Sequence, residues 1–246
     1  MRRSSYFDRD LIETALYASN LFVYDPLMLN SSCAPRPILT SLTDQTFGVL
    51  LESIAAKTPA PGGGAVASAV GALGSALAGM VVSYSVGKKS LAAHELALRQ
   101  AAQQLSIARS LLLRLADEDA QAYGAVNELS RLPETDARRT AELSTALRAA
   151  VDVPLATIAA CVDLLRLMES LTTITNRQLR SDLAIAAVLT EAAARSSRWN
   201  VAVNAGFLPS DADRLAAIQD SGRMVAECVG RAAAVEAGCG EHGSDR

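Results

Sequence analysis

An acidic run near the middle of the chain supplies the side chains that acid/base chemistry requires: Asp117, Glu118 and Asp119. Apolar residues recur through this segment at alternating steps of three and four, as on one face of a helix. That seam consists of Leu112, Leu115, Asp119, Ala122, Val126 and Leu129. A carboxylate that faces a core is costly unless it is partnered or used, and burial raises its pKa towards that of a general base. Asp119 is therefore a candidate general base, whereas Asp117 lies on the face of Arg114 and is expected to be solvated.

The same pattern leaves a structural explanation of Asp119 open. A buried aspartate also occurs where an arginine pairs with it, or where it caps a neighbouring helix. The sequence alone does not separate these alternatives from catalysis.

Three consecutive glycines, Gly62, Gly63 and Gly64, follow two prolines and precede a long uncharged run that ends at Lys88 and Lys89. Backbone N–H groups at a helix start lack intrahelical partners, and glycine lets an anion approach them closely. The glycines are therefore candidate anion ligands, and the two lysines are candidates for a second carboxylate or phosphate. A glycine-rich turn that allows close packing, and lysines that favour a helix C-terminus, are the plainer alternatives.

The uncharged run also raises the question of a membrane span. Its Ala, Gly and Ser residues contribute little transfer energy, and small residues let neighbouring helices approach closely. We therefore expect a buried helix and no membrane partner.

Polar residues in the last third of the chain form a third cluster. Ser181 or Asp182 is suited to cap the helix that follows Asn176. Asn200 and Asn204 are four residues apart and share one helical face, where two amides are able to bind a heterocycle or buried backbone groups.

Helical periodicity dominates from Ser41 onward, and strand patterns are nearly absent. The prediction is an all-α helical bundle with long antiparallel helices. It begins with a capping box at Ser41 and Asp44. Further helices are predicted over 64–86, 90–131, 136–151, 154–172, 182–205 and 211–236. Residues 1–40 are predicted to be a partly disordered extension, 41–236 one helical domain, and 237–246 a flexible tail.

Composition narrows the class of protein. The chain has 246 residues and a net charge of −3, and no basic patch with aromatic residues suggests nucleic-acid binding. Its four cysteines and two histidines show no metal-ligand spacing, so we expect no metal. Widely spaced cysteines fit a reduced, cytoplasmic setting.

The ordered motifs resemble the cyclodeaminase/cyclohydrolase family of folate enzymes. The resemblance covers about residues 42–235, with the motifs in the order of the family. They are Pro61-Gly62-Gly63-Gly64, Gly87-Lys88-Lys89, Asp117-Glu118-Asp119-Ala120-Gln121-Ala122-Tyr123, Val153-Pro154-Leu155, Asn176 with Ser181-Asp182, and Asn200-Val201-Ala202-Val203-Asn204. The family includes the C-terminal domain of formimidoyltransferase-cyclodeaminase and bacterial methenyltetrahydrofolate cyclohydrolases.

The resemblance implies a homodimer that binds a tetrahydrofolate derivative, often polyglutamylated, and needs no cofactor beyond that substrate. It assigns the catalytic aspartate to Asp119, which the apolar seam selects independently. It assigns substrate binding to Gly62, Gly63, Gly64, Lys88, Lys89, Asn176, Ser181, Asp182, Asn200 and Asn204. The expected reaction is cyclodeamination of 5-formimidoyltetrahydrofolate or hydrolysis of the methenyl ring. Because the loop after Asn204 departs from the family pattern, a folate-binding member without catalysis is the alternative.

Overall fold

The computed structural model describes residue 41 and residues 45–58 and 60–240. Regular structure in these residues is entirely helical, which confirms the predicted all-α fold. The α-helices are α1 Phe47–Ala55, α2 Gly63–Ser83, α3 Glu95–Ser130, α4 Ala137–Leu171, α5 Arg180–Ala205 and α6 Asp211–Gly240. Short 3-10 helices occupy Lys89–His94 and Arg177–Leu179.

Helix α2 packs between α3 and α5 and runs antiparallel to both. Its start faces Asp119 of α3 and Asn200 of α5, and its middle faces Thr190 of α5. A Cβ added at Gly74 would stand 2.9 Å from the carbonyl oxygen of Ala186, closer than side chains tolerate. The small residues of α2 therefore let two long helices approach it closely on both sides.

Larger side chains of α3, α4 and α5 fill the core around α2. Each fully buried leucine, isoleucine or methionine contributes about 1.5–3 kcal/mol by its removal from water. These side chains are Leu98, Leu105, Leu112, Leu115, Ile158, Leu164, Leu165, Met168, Leu171 and Leu183. Helix α6 covers α4 and α5 on the side away from α2.

The first described helix does not begin with the predicted capping box. Helix α1 begins at Phe47, where the Thr46 hydroxyl accepts a hydrogen bond from the Val49 N–H at 3.4 Å. Ser41 instead donates a hydrogen bond to the Asp117 carboxylate, and Asp44 lies outside the described residues. The capping-box prediction for Ser41 is therefore wrong.

The predicted break between residues 151 and 154 is also wrong, because α4 continues through Pro154 as one helix. Proline has no N–H, so the carbonyl of Ala150 loses its usual helical partner. The side-chain amide of Asn204 replaces that partner, with 2.7 Å from Nδ2 to the Ala150 oxygen. A side chain from another helix thus satisfies the carbonyl group that would otherwise favour a helix end.

Helix α6 extends to Gly240, beyond the predicted end at residue 236, so part of the predicted flexible tail is helical. This last turn packs on the core through Cys239, and a Cβ at Gly238 would stand 3.2 Å from Thr172. Contact with the end of α4 explains the longer helix. Residues 241–246 and the predicted extension 1–40 lie outside the described residues.

Helix α2 is long and apolar enough to cross a membrane, by length and composition alone. Its most apolar 18-residue window has a mean hydropathy of 1.9. The expectation that low hydropathy argues against a membrane span is therefore wrong. In the structure 56% of that window is buried. Packing between α3 and α5 is a sufficient reason for its apolar composition.

Candidate active site

Asp119 lies on α3, where the apolar seam passes the start of α2. Its seam neighbours Leu115 and Ala122 are buried, and Asp119 is itself partly buried. Asp117 is not simply solvated as expected: it is half-buried, and its carboxylate accepts a 2.6 Å hydrogen bond from the Ser41 hydroxyl. Of these two aspartates, Asp119 is the one presented to the start of α2.

The contact between Asp119 and the first turn of α2 is the centre of the candidate active site. The backbone N–H of Ala65 donates to the Asp119 carboxylate. A Cβ at Gly64 would overlap that carboxylate, so the close approach requires glycine. The sequence left two structural explanations open: a glycine turn that allows close packing, and an aspartate bonded to a neighbouring helix. The structure shows both. They hold the carboxylate in place and do not exclude a chemical role.

Burial raises the pKa of Asp119 from 3.8 to about 6, although the hydrogen bond from Ala65 acts in the opposite direction. The positive end of the α2 dipole likewise favours the ionised form. A pKa near neutrality lets one carboxyl group accept and return a proton during turnover. Burial also raises the pKa of the adjacent Glu118, but that side chain is not presented to the glycine turn as Asp119 is.

Helix α5 brings two predicted asparagines to the same end of the bundle. A Cβ at Gly63 would stand 3.8 Å from the Asn200 side-chain oxygen, so Asn200 borders the glycine turn. Asn204, one helical turn further along, donates its Nδ2 to the Ala150 carbonyl. Asn200 is thus placed beside the candidate site, whereas one N–H of the Asn204 amide is already bonded within the protein.

The other predicted binding residues lie at the opposite end of α2. Asn176 donates its backbone N–H to the buried Ser85 hydroxyl at 2.9 Å, and Lys88 follows Ser85 closely in the chain. Asn176 also caps the 3-10 helix before α5, with its side-chain oxygen 3.3 Å from the Gln178 nitrogen. We name the cluster of Lys88, Lys89, Asn176, Ser181 and Asp182 the lysine end. Gly62, Gly63, Gly64, Asp119 and Asn200 form the aspartate end.

Ser181 and Asp182 do not cap α5, because that helix begins at Arg180 with Leu179 at the N-cap position. Both lie in its first turn instead. Neither caps the helix as the sequence suggested, so their predicted role in binding rests on the resemblance alone.

The two ends do not meet within one copy of the chain. Helix α2 has 21 residues, which corresponds to roughly 30 Å at 1.5 Å per residue. The lysine end and the aspartate end are separated by about this length. A single chain therefore presents the predicted site in two halves.

The sequence analysis did not identify two groups that form hydrogen bonds to the predicted site residues. The backbone of Ala65 bonds to Asp119, and the Ser85 hydroxyl links the end of α2 to Asn176. Neither has a distinctive local signal, because both belong to a run of small residues. Their roles depend on contacts with residues far away in the sequence.

The part of the chain that the structure describes contains no candidate metal centre. Within those residues, no three histidine, cysteine or acidic side chains are grouped to hold a metal ion. A groove of about 380 Å³ lies between α2 and α3, further along α2 than the aspartate end. It is lined by Ser75, Ala76, Gly79, Met80, Ser83, Ala102, Leu105, Ser106 and Arg109.

Residues 46–222 match the family model described as formiminotransferase-cyclodeaminase. This match covers most of the chain and includes both the aspartate end and the lysine end. The chain belongs to the formiminotransferase-cyclodeaminase family. The predicted resemblance is therefore confirmed.

Individual members of the family agree with this assignment. A methenyltetrahydrofolate cyclohydrolase from Methylorubrum extorquens is 34% identical over 166 residues, 66% of this chain and 80% of the relative. The formimidoyltransferase-cyclodeaminase of Rattus norvegicus is 33% identical over 175 residues, 70% of this chain. That match spans only 32% of the rat protein, so this chain corresponds to one portion of it.

A solved structure supports the same fold. The formiminotetrahydrofolate cyclodeaminase of Thermotoga maritima superposes with a TM-score of 0.74 at 28% identity. The superposition covers 80% of this chain and 96% of the Thermotoga chain. Nearly the whole Thermotoga fold is thus present here.

Proposed function

We propose that the chain is a tetrahydrofolate one-carbon enzyme in which Asp119 transfers protons at the carbon between N5 and N10. The observation that carries this proposal is the half-buried Asp119 carboxylate, held against the start of α2 with a pKa of about 6. Family membership supplies the substrate class, since the relatives are a methenyltetrahydrofolate cyclohydrolase and formimidoyltransferase-cyclodeaminases.

Cyclodeamination requires one proton to move from one nitrogen to another. N10 of 5-formimidoyltetrahydrofolate attacks the carbon of the protonated amidine, whose terminal nitrogen already carries two hydrogens, and forms a tetrahedral centre. Asp119 takes the proton from N10 and returns it to the leaving nitrogen, which departs as ammonia and leaves 5,10-methenyltetrahydrofolate. One carboxyl group that is ionised at the start and protonated midway performs both transfers.

Cyclohydrolysis makes the same demand on the same carboxyl group. Water adds to the methenyl carbon, and Asp119 accepts a proton from it. A C–N bond opens as that proton is returned to nitrogen, and the remaining hydroxyl proton is lost to solvent as the formyl carbonyl forms. The product is a formyltetrahydrofolate. We also propose that neither route uses a metal or a redox cofactor.

One assay distinguishes the two reactions and tests the proposal. The methenyl chromophore is followed by absorbance with each substrate in turn. Its appearance from 5-formimidoyltetrahydrofolate identifies a cyclodeaminase, and its enzyme-dependent decay from 5,10-methenyltetrahydrofolate identifies a cyclohydrolase. Binding of folate without either change would replace this proposal by a folate-binding member that lacks catalysis.

We further propose that two copies complete each site as a homodimer. The outer face of α2 is uncharged and partly exposed: Leu73 is 50% exposed, and Tyr84, directly after the helix end, is 63% exposed. Leu73 is at the middle of α2, so a two-fold axis there would place the lysine end of the partner subunit beside the aspartate end. The open groove between α2 and α3 offers space for side chains of a second copy. Such a dimer would unite residues that are about 30 Å apart in one protomer.

In this arrangement the two lysines bind the glutamate tail of the substrate. Replacing both, Lys88→Ala with Lys89→Ala, is expected to raise KM about tenfold for a polyglutamylated substrate and to change little for the monoglutamate. Steady-state kinetics with both substrates measures this difference. Arg223→Ala, which removes an exposed charge from α6, is the matched control. An equal loss for both substrates would remove the tail-binding role.

Co-expression tests whether a site draws on two subunits. A hybrid of an Asp119→Asn copy and a Lys88→Ala/Lys89→Ala copy contains one site with both functional halves if the halves come from different subunits. Activity on the polyglutamylated substrate should then exceed the sum of the two separate variants. Activity equal to that sum would place each complete site within one subunit.

We place this enzyme in the cytoplasm, with neither a membrane nor a nucleic acid as partner. The widely spaced cysteines support the cytoplasmic setting. The net charge of −3 and the burial of much of α2 support the absence of nucleic-acid and membrane partners. Purification without detergent, and gel shift with nucleic acid, test them separately from activity.

A further inference from the structure

Pro154 lies inside α4 and is buried, although a proline in a helix interior normally costs about 3 kcal/mol. Its missing N–H would leave the Ala150 carbonyl without a helical partner. Asn204 supplies the replacement, because its Nδ2 lies 2.7 Å from that oxygen. Only the NH₂ group of an amide donates to a carbonyl, so this bond also fixes which way the Asn204 amide is turned.

A second side-chain connection reaches the same segment from α2. The hydroxyl groups of Ser68 and Thr157 lie 2.9 Å apart, and both residues are almost completely buried. The Thr157 hydroxyl also lies 3.2 Å from the carbonyl oxygen of Val153, the residue before Pro154. Ser68 therefore donates to Thr157, which donates to Val153. We call residues 150–157 of α4 the Pro154 segment.

The two connections have matching positions relative to the candidate site. Ser68 is four residues after Gly64 on α2, and Asn204 is four residues after Asn200 on α5. Helices α2 and α5 are thus each hydrogen-bonded to the Pro154 segment, one turn away from Gly64 and from Asn200 respectively. Side chains one turn apart on a helix move together, because the intervening backbone is a rigid turn.

We propose that Asn204 is a positioning residue of this site rather than a substrate ligand, and that it acts by replacing the helical hydrogen bond that Pro154 removes. The bond sets the position of α5 relative to α4, and with it the position of Asn200 beside the glycine turn. This inference rests on the proposed function only where kcat is measured. The coupling between Asn204 and Pro154 is measured by Tm and does not depend on that function.

The proposal predicts that the need for Asn204 depends on Pro154. Asn204→Ala leaves the Ala150 carbonyl unsatisfied, so Tm should fall by about 5 °C and kcat by about tenfold or more. In a Pro154→Ala background, the new alanine has an N–H that bonds to the Ala150 carbonyl, so adding Asn204→Ala should change Tm and kcat little. Melting curves and kinetics of the four proteins, wild type, both single variants and the double variant, give this comparison.

Asn200→Ala in the same two backgrounds is the matched control. Asn200 is not the side chain that bonds to Ala150, so its effect should be the same in the wild-type background as in the Pro154→Ala background. If Asn204→Ala alone fails to fold while the double variant folds, the connection is supported. Equal effects of Asn204→Ala in both backgrounds, or failure of both to fold, would overturn it.

The kinetic result separates positioning from substrate contact. Recovery of Tm without recovery of kcat in the double variant would mean that Asn204 acts on the substrate directly, which also contradicts the proposal. Absence of activity in the wild type would contradict the proposed function. The Tm comparison would still decide whether Asn204 and Pro154 are coupled.

Discussion

Asp119→Asn should reduce turnover by about 10²–10⁴-fold, the usual contribution of a positioned general acid/base. The substitution keeps the shape of the side chain, and the amide oxygen still accepts the hydrogen bond from Ala65. It removes the group that takes a proton from N10 or from water. Progress curves at the methenyl chromophore measure turnover, and a folate-binding titration shows whether the variant still binds substrate.

The same variant should fold at least as stably as the wild type. Its Tm is therefore the control that separates a loss of chemistry from a loss of fold. Asp119 has a pKa of 3.8 when unfolded and about 6 when folded, so its ionisation costs the fold up to about 3 kcal/mol. The protonated carboxyl carries no such cost below about pH 4, and the full cost applies as pH rises above about 6. Asparagine removes it, so Tm should rise at neutral pH. Near-normal turnover in this stable protein would rule out Asp119 as the proton carrier.

Gly64→Ala should be nearly as damaging, because the new methyl group would overlap the Asp119 carboxylate. The carboxylate or the start of α2 must then move, and a displacement of about 1 Å costs on the order of 10²-fold in rate. Kinetics and Tm measure the two consequences. The variant should lose kcat more than substrate binding.

Gly62→Ala is the matched control for this substitution. It adds the same methyl group two residues earlier, where nothing stands within 4 Å of the new Cβ. Its backbone, with φ of −107°, is accessible to alanine. Equal losses for the two variants would show that the glycine run matters for its backbone and not for the space it leaves to Asp119.

The sequence was sufficient to select Asp119 because helical periodicity is a local property. A charged residue on an apolar seam is visible without any knowledge of its neighbours. The partner across the seam was not visible, since the contact with Gly64 depends on how two helices pack. The sequence consequently left an anion site and a packing turn both open for the glycine run, and the structure shows that its third residue makes room for a carboxylate of the protein itself.

The division of the predicted site into two ends follows from the predicted topology. In a bundle of antiparallel helices, successive helix ends alternate between the two ends of the bundle. Gly64 and Lys88 lie at opposite ends of α2, and Asn176 and Asn200 lie at opposite ends of α5. The antiparallel topology therefore separates these residues into two groups within one chain, although the resemblance to a family had combined them into one site.

The error at Pro154 has a non-local cause. Local rules end a helix before proline because one carbonyl loses its partner. The partner here comes from Asn204, fifty-four residues away in the chain. A rule that reads only neighbouring residues has no access to that compensation.

The pH dependence of kcat/KM tests the central claim most directly, because it reports the ionisation of the group that acts in the free enzyme. If ionised Asp119 accepts the first proton, kcat/KM should be constant above about pH 7 and fall tenfold per pH unit below a pKa of about 6. The residual activity of Asp119→Asn should lack that fall. A wild-type profile without an ionisation near pH 6, or the same ionisation in Asp119→Asn, would contradict the assignment.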